Sequence, residues 1–395
     1  MATLQETATQ TEIARILFQK KGNPKAPAVI FFVGIHGNEP AGLEAFFEID
    51  ESLKECNFQG SLYVFSGNIK ALCKGVRFID RDLNRIWTHQ QIATLKTSLE
   101  PFAEAKEQQE LLRLIDEVIR YHSGPLYFVD FHTTSSKTMP FITINDALIN
   151  RKFSEQFPVP IILGIEEYLE GPLLSYINER GFVSLGFESG QHEDREAVEN
   201  AKAFMWLTLM FTRVIAQLPI AHSEEIFRQL RQTEEHRPCI YEVVERYEIH
   251  TGDDFVMVDG YKSFQAIKKG ERLAYHNGKT IVCKKDSILF MPLYQAKGEE
   301  GFFRIRKTPR WALWLSEKLR KQKADGLLTV LPGVCWASRD KDVLKINLKT
   351  ARFLAKPIFH LLGFRHRQQD SNQIKVYNRE RAAQSERYRG QKWFE

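Results

Sequence analysis

Hydrophobic positions in this chain come in blocks. Residues 28–34 (Ala-Val-Ile-Phe-Phe-Val-Gly) form a continuous apolar run rich in β-formers, the pattern of a strand buried on both faces. A short loop follows, Ile35-His36-Gly37-Asn38-Glu39-Pro40. Residues 41–49 then predict a helix, with Asn38 as its cap and Pro40 near its first turn. Residues 61–66 and 125–131 repeat the strand pattern, and shorter runs at 141–144 and 160–163 extend it. Residues 181–187 end another apolar run, at Glu188. In residues 108–121, Leu111, Leu112, Ile115, Val118 and Ile119 share one helical face. The stretch at 203–218 reads as a buried helix, since Arg213 and Gln217 interrupt it and it is too short to span a membrane. This alternation of strand and helix to about residue 220 predicts an α/β layer architecture.

The pattern then changes. Residues 224–235 read as a charged helix or linker. Short strands are predicted at 241–249, 255–258, 271–276, 279–283 and 287–291, with Asn277-Gly278 as a tight hairpin turn. Residues 311–322 and 348–362 have a helical pattern, which Pro357 would kink or break. Beyond Gly363 the chain is polar and basic. The expected plan is a catalytic domain over residues 1–225, a small β domain over 238–306, and a helical extension with a frayed basic tail over 307–395.

Composition narrows the class. The 395 residues are 43% hydrophobic and 27% charged, enough for a large core and more than one domain. A formal charge of +5 is mild at this length. The five cysteines are scattered, with no Cys-x-x-Cys pair, so they read as reduced thiols in a cytoplasmic protein. Residues 1–20 lack the basic start and apolar stretch of a secretory signal.

Three polar signals stand at the ends of apolar strands: His36-Gly37-Asn38-Glu39, Asp130-Phe131-His132 and Glu188-Ser189-Gly190. In an open α/β sheet the crevice at the carboxyl ends of the strands is where ligands bind. His36, Glu39 and His132 supply two imidazoles and a carboxylate, the donor set of catalytic zinc sites in hydrolases, which leave a position for water. Asp130 is placed to orient a histidine ring. Between these signals runs Arg77-Phe78-Ile79-Asp80-Arg81-Asp82-Leu83-Asn84-Arg85. It is open to two readings, a solvated basic loop or a carboxylate clamp in which an arginine fork makes two parallel bonds.

Taken together, His36-Gly37-Asn38-Glu39, Asp82-Leu83-Asn84-Arg85, Asp130-Phe131-His132 and Glu188-Ser189-Gly190 resemble the succinylglutamate desuccinylase/aspartoacylase family of the zinc carboxypeptidase-like group. The resemblance covers about residues 25–305, with the motifs in the same order. It implies a zinc-carboxypeptidase-like mixed-sheet catalytic domain, then a small C-terminal β domain, with the helical extension outside the family pattern. It also implies hydrolysis of the amide bond of an N-acyl amino acid. By that resemblance His36, Glu39 and His132 hold one Zn2+ per chain and Glu188 is the general base. Arg77 polarises the scissile carbonyl, and Asn84 and Arg85 grip the substrate carboxylate. Tyr176 and Arg180 have the spacing of a further substrate-binding pair, and Tyr294 is the one candidate for a tyrosine in the β domain, where the local pattern departs from the family's.

The expected partner is a small carboxylate-bearing N-acyl substrate; neither a membrane nor nucleic acid is expected, and a homo-oligomer is left open. Rival readings are a zinc carboxypeptidase acting on a peptide or peptidoglycan fragment, and a non-catalytic binding protein on the same fold. A nucleic-acid module built on Trp311, Trp314, Trp336, Tyr377, Tyr388 and Trp393 is disfavoured, because acids interleave the basic residues.

Overall fold

The computed structural model describes residues 13–97, 102–216, 223–231, 238–339, 341, 343–347, 350, 355–370 and 373–395. The expected linker residues 232–235 and most of the expected helix before residue 355 lie outside them.

The first half contains β1 (Ile16–Lys20), β2 (Ala28–Val33), β3 (Ser61–Ser66), β4 (Leu126–Thr134), β5 (Phe141–Ile144), β6 (Ile161–Leu163) and β7 (Val183–Gln191). β2 pairs in parallel with β3 on one side and β4 on the other, and β4 pairs in parallel with β7. All of β2 is buried, and its residues alternate between two cores. Val29, Phe31 and Val33 pack with Phe46 and Ile49 of the helix Ala41–Lys54 and with Phe204 of the helix Arg195–Phe211. Ala28, Ile30 and Phe32 pack with Leu111, Ile115 and Val118 of the helix Ala103–Tyr121. The period-two geometry of a strand sends successive side chains to opposite faces, and helices cover both, so every position is apolar. Burying each large apolar side chain contributes about 1.5–3 kcal/mol.

The mixed sheet has eleven strands in the order β1-β3-β2-β4-β7-β5-β6-β8-β14-β13-β10. Its second half comes from β8 (Ile240–Glu248), β10 (Ala266–Ile267), β13 (Ser287–Phe290) and β14 (Glu300–Lys307), so residues 238–306 share this sheet. Only β9 (Phe255–Met257), β11 (Arg272–His276) and β12 (Lys279–Val282) form a separate three-stranded sheet. His276 pairs with Lys279 across Asn277-Gly278, both at positive φ (49° and 73°), as the hairpin pattern requires. Asn38 does not cap the helix Ala41–Lys54. Pro40 occupies that position, and the Asn38 amide donates to Gln295 Oε1 at 3.1 Å.

The C-terminal segment differs from a helical extension with a frayed tail. After the helix Arg310–Lys321, β15 (Val334–Trp336), β16 (Val343–Asn347), β17 (Phe364–Asp370) and β18 (Gln373–Asn378) form a four-stranded sheet in the order β15-β16-β18-β17. Leu328, Val334, Leu344, Phe359, Phe364 and Val376 give it a core of its own. The chain then returns to the main sheet. Tyr388 is fully buried; its hydroxyl donates to Leu126 O at 2.6 Å and accepts from Val183 N at 2.9 Å. Trp393 donates from Nε1 to the Tyr127 hydroxyl at 3.2 Å. The tail thus satisfies backbone groups at the amino ends of β4 and β7, opposite the ends that carry His132 and Glu188. A buried ion network adds a second tie: Arg320 reaches Asp146 Oδ2 and Glu380 Oε1, both at 3.0 Å, and Arg151 also holds Asp146. Among the described residues no helix is long and apolar enough to cross a membrane. The five cysteines are free thiols.

Tyr388→Phe leaves Leu126 O and Val183 N without their buried partner, and a buried unpaired group costs roughly 1–3 kcal/mol. A urea titration should show a lower unfolding midpoint, with the unfolding free energy reduced by that amount; an unchanged midpoint would mean the tail is not docked as described.

Candidate functional site

The three motif ends converge because β2, β4 and β7 are neighbours in one register: Val33 stands beside Phe131, and His132 beside Glu188. The loop after β2 turns sharply over the helix Ile69–Lys74. A Cβ on Gly37 would lie 2.1 Å from the Ala71 carbonyl carbon, so only glycine lets the backbone approach so closely. Beneath His132 and Glu188, Phe131 and Phe187 pack on Phe204, the Phe187 and Phe204 rings stacked at 3.9 Å.

Glu39 is at the centre. It is 2% exposed. Its Oε1 accepts from His36 Nδ1 at 2.9 Å and Arg77 Nη1 at 3.3 Å; its Oε2 accepts from His132 Nδ1 at 3.0 Å and Thr133 N at 3.1 Å. The other nitrogen of each ring meets an aspartate: His36 Nε2 lies 3.0 Å from Asp82 Oδ1, and His132 Nε2 lies 2.8 Å from Asp130 Oδ2. Both imidazoles therefore aim Nδ1 inward at one carboxylate and are backed by another on the far side. Arg77 also donates to Asp82 from Nη2, at 3.1 Å.

Electrostatics follow from burial and from these pairs. Burial works against the charge on Glu39, yet His36 and His132 hold it well below the usual carboxylate range. Asp82 is likewise kept low against burial, by His36, Arg77 and Arg85. Burial opposes a charged His132, but Asp130 and Glu39 push its pKa well above the ordinary value. Glu188 goes the other way: burial, with Glu39 and Asp130 adding to it, raises its carboxyl to about 8 against the pull of His132 and Arg77.

His36, Glu39 and His132 each offer one ligand atom, and these atoms lie within 4.8 Å of one another. The donor set fits a divalent transition metal: two nitrogens and an oxygen, with Asp82 and Asp130 placed to fix each ring's orientation.

The cleft over this group is lined by Arg77, Asn84, Arg85, Thr133, Glu188 and His192 on its polar side. Asn84 and Arg85 lie on the one-turn 3₁₀ helix Leu83–Arg85, which Asp82 caps by accepting from Asn84 N at 2.8 Å. Its position depends on Glu104, a fully buried carboxylate that accepts from the backbone of Ile79, Asp80 and Arg81. Nothing in the sequence marked Glu104, because a glutamate at a helix start reads as a solvent-facing charge. Glu166, Gln295 and Glu300, which also line the cleft, carried no local motif.

Two expected substrate residues are elsewhere. Tyr176 packs against Trp87, and Arg180 pairs with Asp116 and with the Tyr176 hydroxyl, which lies at 3.2 Å. Their four-residue spacing on a helical turn brings them to each other, not to the cleft. Tyr294 is also outside it; its hydroxyl donates to Val258 O at 2.9 Å and accepts from Tyr261 N at 3.0 Å.

A mixed α/β sheet with a buried His-Glu-His group at the carboxyl ends of adjacent strands defines the class, a fold built around a candidate metal site. Residues 25–176 match the family model described as the succinylglutamate desuccinylase/aspartoacylase catalytic domain. Succinylglutamate desuccinylases of Pseudoalteromonas atlantica and Shewanella pealeana are similar, at 24% identity over 298 residues and 25% over 290; each match covers 81% of the relative and 71% or 70% of this chain. The crystal structure of succinylglutamate desuccinylase/aspartoacylase from Rhodobacter sphaeroides shares the fold, with a TM-score of 0.55 at 19% identity over 73% of this chain and 88% of that one. Over residues 25–176 the chain is similar to the catalytic domain of the succinylglutamate desuccinylase/aspartoacylase family.

Replacing Asp130 by Asn, which keeps shape but weakens the partner of His132, should lower metal affinity about 10- to 100-fold. Competition with a chromogenic chelator measures this, and unchanged affinity would show that Asp130 does not tune the site.

Proposed function

We propose that this protein is a zinc-dependent hydrolase that cleaves the amide bond of a small, carboxylate-bearing N-acyl amino acid. One observation carries the reading: two imidazoles aim Nδ1 at a single buried carboxylate, each backed by an aspartate, with Glu188 beside them. The family supports deacylation of an N-acyl amino acid, and the relatives named as succinylglutamate desuccinylases are consistent with it. The domain plan goes with the same reading: a carboxypeptidase-like catalytic unit over residues 1–225, strands 238–306 beside its cleft, and a C-terminal unit from residue 307. The five free thiols suit a cytoplasmic enzyme.

When bound by His36, Glu39 and His132, zinc supplies Lewis acidity and makes water a nucleophile near neutral pH. Glu188 takes the proton from the attacking water and delivers it to the nitrogen of the leaving amine, so that amide and water become carboxylate and amine. A carboxyl held up to about 8 by burial is matched to that exchange near neutral pH. Arg77, kept charged against burial by Asp82 and Glu39, stabilises the oxygen of the scissile carbonyl as negative charge develops there. Asn84 and Arg85, in the lining of the same cleft, orient the substrate by its carboxylate.

Glu188→Gln should retain metal and lose roughly 10²- to 10⁴-fold in kcat, the usual contribution of a positioned proton carrier. Elemental analysis beside an amine-release assay checks both, and full turnover by the variant would remove Glu188 from this role. Arg85→Ala should raise KM about 10- to 100-fold with metal content unchanged, as expected for loss of a charged hydrogen bond. An unaltered KM would place the carboxylate elsewhere.

A further inference from the structure

The cleft is asymmetric in a way that speaks to the substrate. Beyond the metal-site group its lining carries an apolar set, Ile144, Ile165, Leu169, Leu174, Leu293 and Phe303, with Thr143, Asn145, Gln295 and two acids among them. Among the described residues its cations other than histidine are Arg77 and Arg85. Arg77 is held by Asp82 at 3.1 Å and Glu39 at 3.3 Å. Arg85 donates to the Asn84 carbonyl at 3.1 Å and makes one long ion pair, to Glu300 at 3.4 Å, and its guanidinium is about one-fifth exposed. That leaves one arginine to receive a substrate carboxylate. Beyond Glu39 and Glu188, the acids lining the cleft are Glu166 and Glu300. Arg180, the other arginine with a substrate-binding spacing, is engaged outside the cleft by Asp116. A second substrate carboxylate would therefore enter a space lined by hydrocarbon and like charge, where ionised groups are disfavoured.

From this wall we infer that the cleft selects an N-acyl amino acid with one carboxylate and an uncharged apolar group, aliphatic or aromatic. The inference rests on the hydrolase reading above and specifies its substrate. The carboxylate lies at Asn84 and Arg85, the scissile amide between Glu188 and Arg77, and the apolar group against Leu169, Leu293 and Phe303. That group belongs either to the acyl chain or to the amino-acid side chain, which have the same chemistry. In a fitting apolar pocket one added methylene is worth roughly tenfold or more in specificity.

The test compares N-acetyl-L-leucine (apolar side chain) and N-hexanoylglycine (apolar acyl chain) with N-acetyl-L-aspartate and N-succinyl-L-glutamate. Hydrolysis is followed with zinc-loaded wild type, and binding by calorimetry with zinc-loaded Glu188→Gln. At least one apolar monocarboxylate should exceed both multicarboxylates by tenfold or more in kcat/KM and in affinity, and the favoured member of the pair tells which end faces the wall. Leu169→Arg, with Leu293→Arg as a second variant should the first fail to fold, should erase that preference by putting a cation on the wall. Equal or better hydrolysis and binding of N-acetyl-L-aspartate or N-succinyl-L-glutamate by wild type overturns the inference and leaves the hydrolase reading standing. Tight binding of the apolar compounds without hydrolysis by wild type supports the pocket preference and sinks the hydrolase reading. Absence of both binding and hydrolysis for all four overturns both.

Discussion

The charge on Glu39 organises the first half of the molecule. A carboxylate that is 2% exposed is stable only if donors surround it, and the fold supplies them from separate parts of the chain. His36 and Arg77 face one oxygen; His132 and the Thr133 amide face the other. This requires β2 and β4 to be parallel neighbours ending at the same level, and the loop after β2 to pass close to Ala71. Gly37 makes that passage possible. Neither strand has a charged position on its two core faces until the site begins, so in β2 and β4 the cost of burying charge is confined to their carboxyl ends.

Much of this was legible in the sequence. The run at 28–34 is apolar at every position because both its faces are covered, whereas a strand with one wet face would alternate apolar and polar residues. His36, Glu39, His132 and Glu188 stand out because each falls at or just beyond the end of an apolar strand. What escaped has physical reasons. Tyr388 and Trp393 sit among charged residues in sequence, and only their long-range partners, Leu126 and Tyr127, make them core. Tyr176 and Arg180 had a suggestive spacing, which on a helical turn produces mutual contact. Glu104 acts through three backbone amides of a loop some two dozen residues earlier in the chain, and nothing local records that.

The C-terminal segment shares the same economy of placement. Arg320 bridges Glu380 and Asp146, next to Asn145, which lines the cleft, and Asp146 N donates to Glu166, another residue of the lining, at 3.0 Å. The segment that lay outside the recognisable motifs therefore braces part of the cleft's lining. A site whose candidate metal ligands and base come from the ends of β2, β4 and β7 thus depends also on residues far later in the chain.

The central claim is that His36, Glu39 and His132 together hold a metal. X-ray absorption at the zinc edge, on protein loaded with one equivalent, tests it most directly. The expected spectrum shows only nitrogen and oxygen ligands at about 2.0–2.2 Å, with outer-shell scattering from two imidazole rings that falls to one in His132→Ala. A sulfur shell near 2.3 Å, or no imidazole scattering at all, would contradict it.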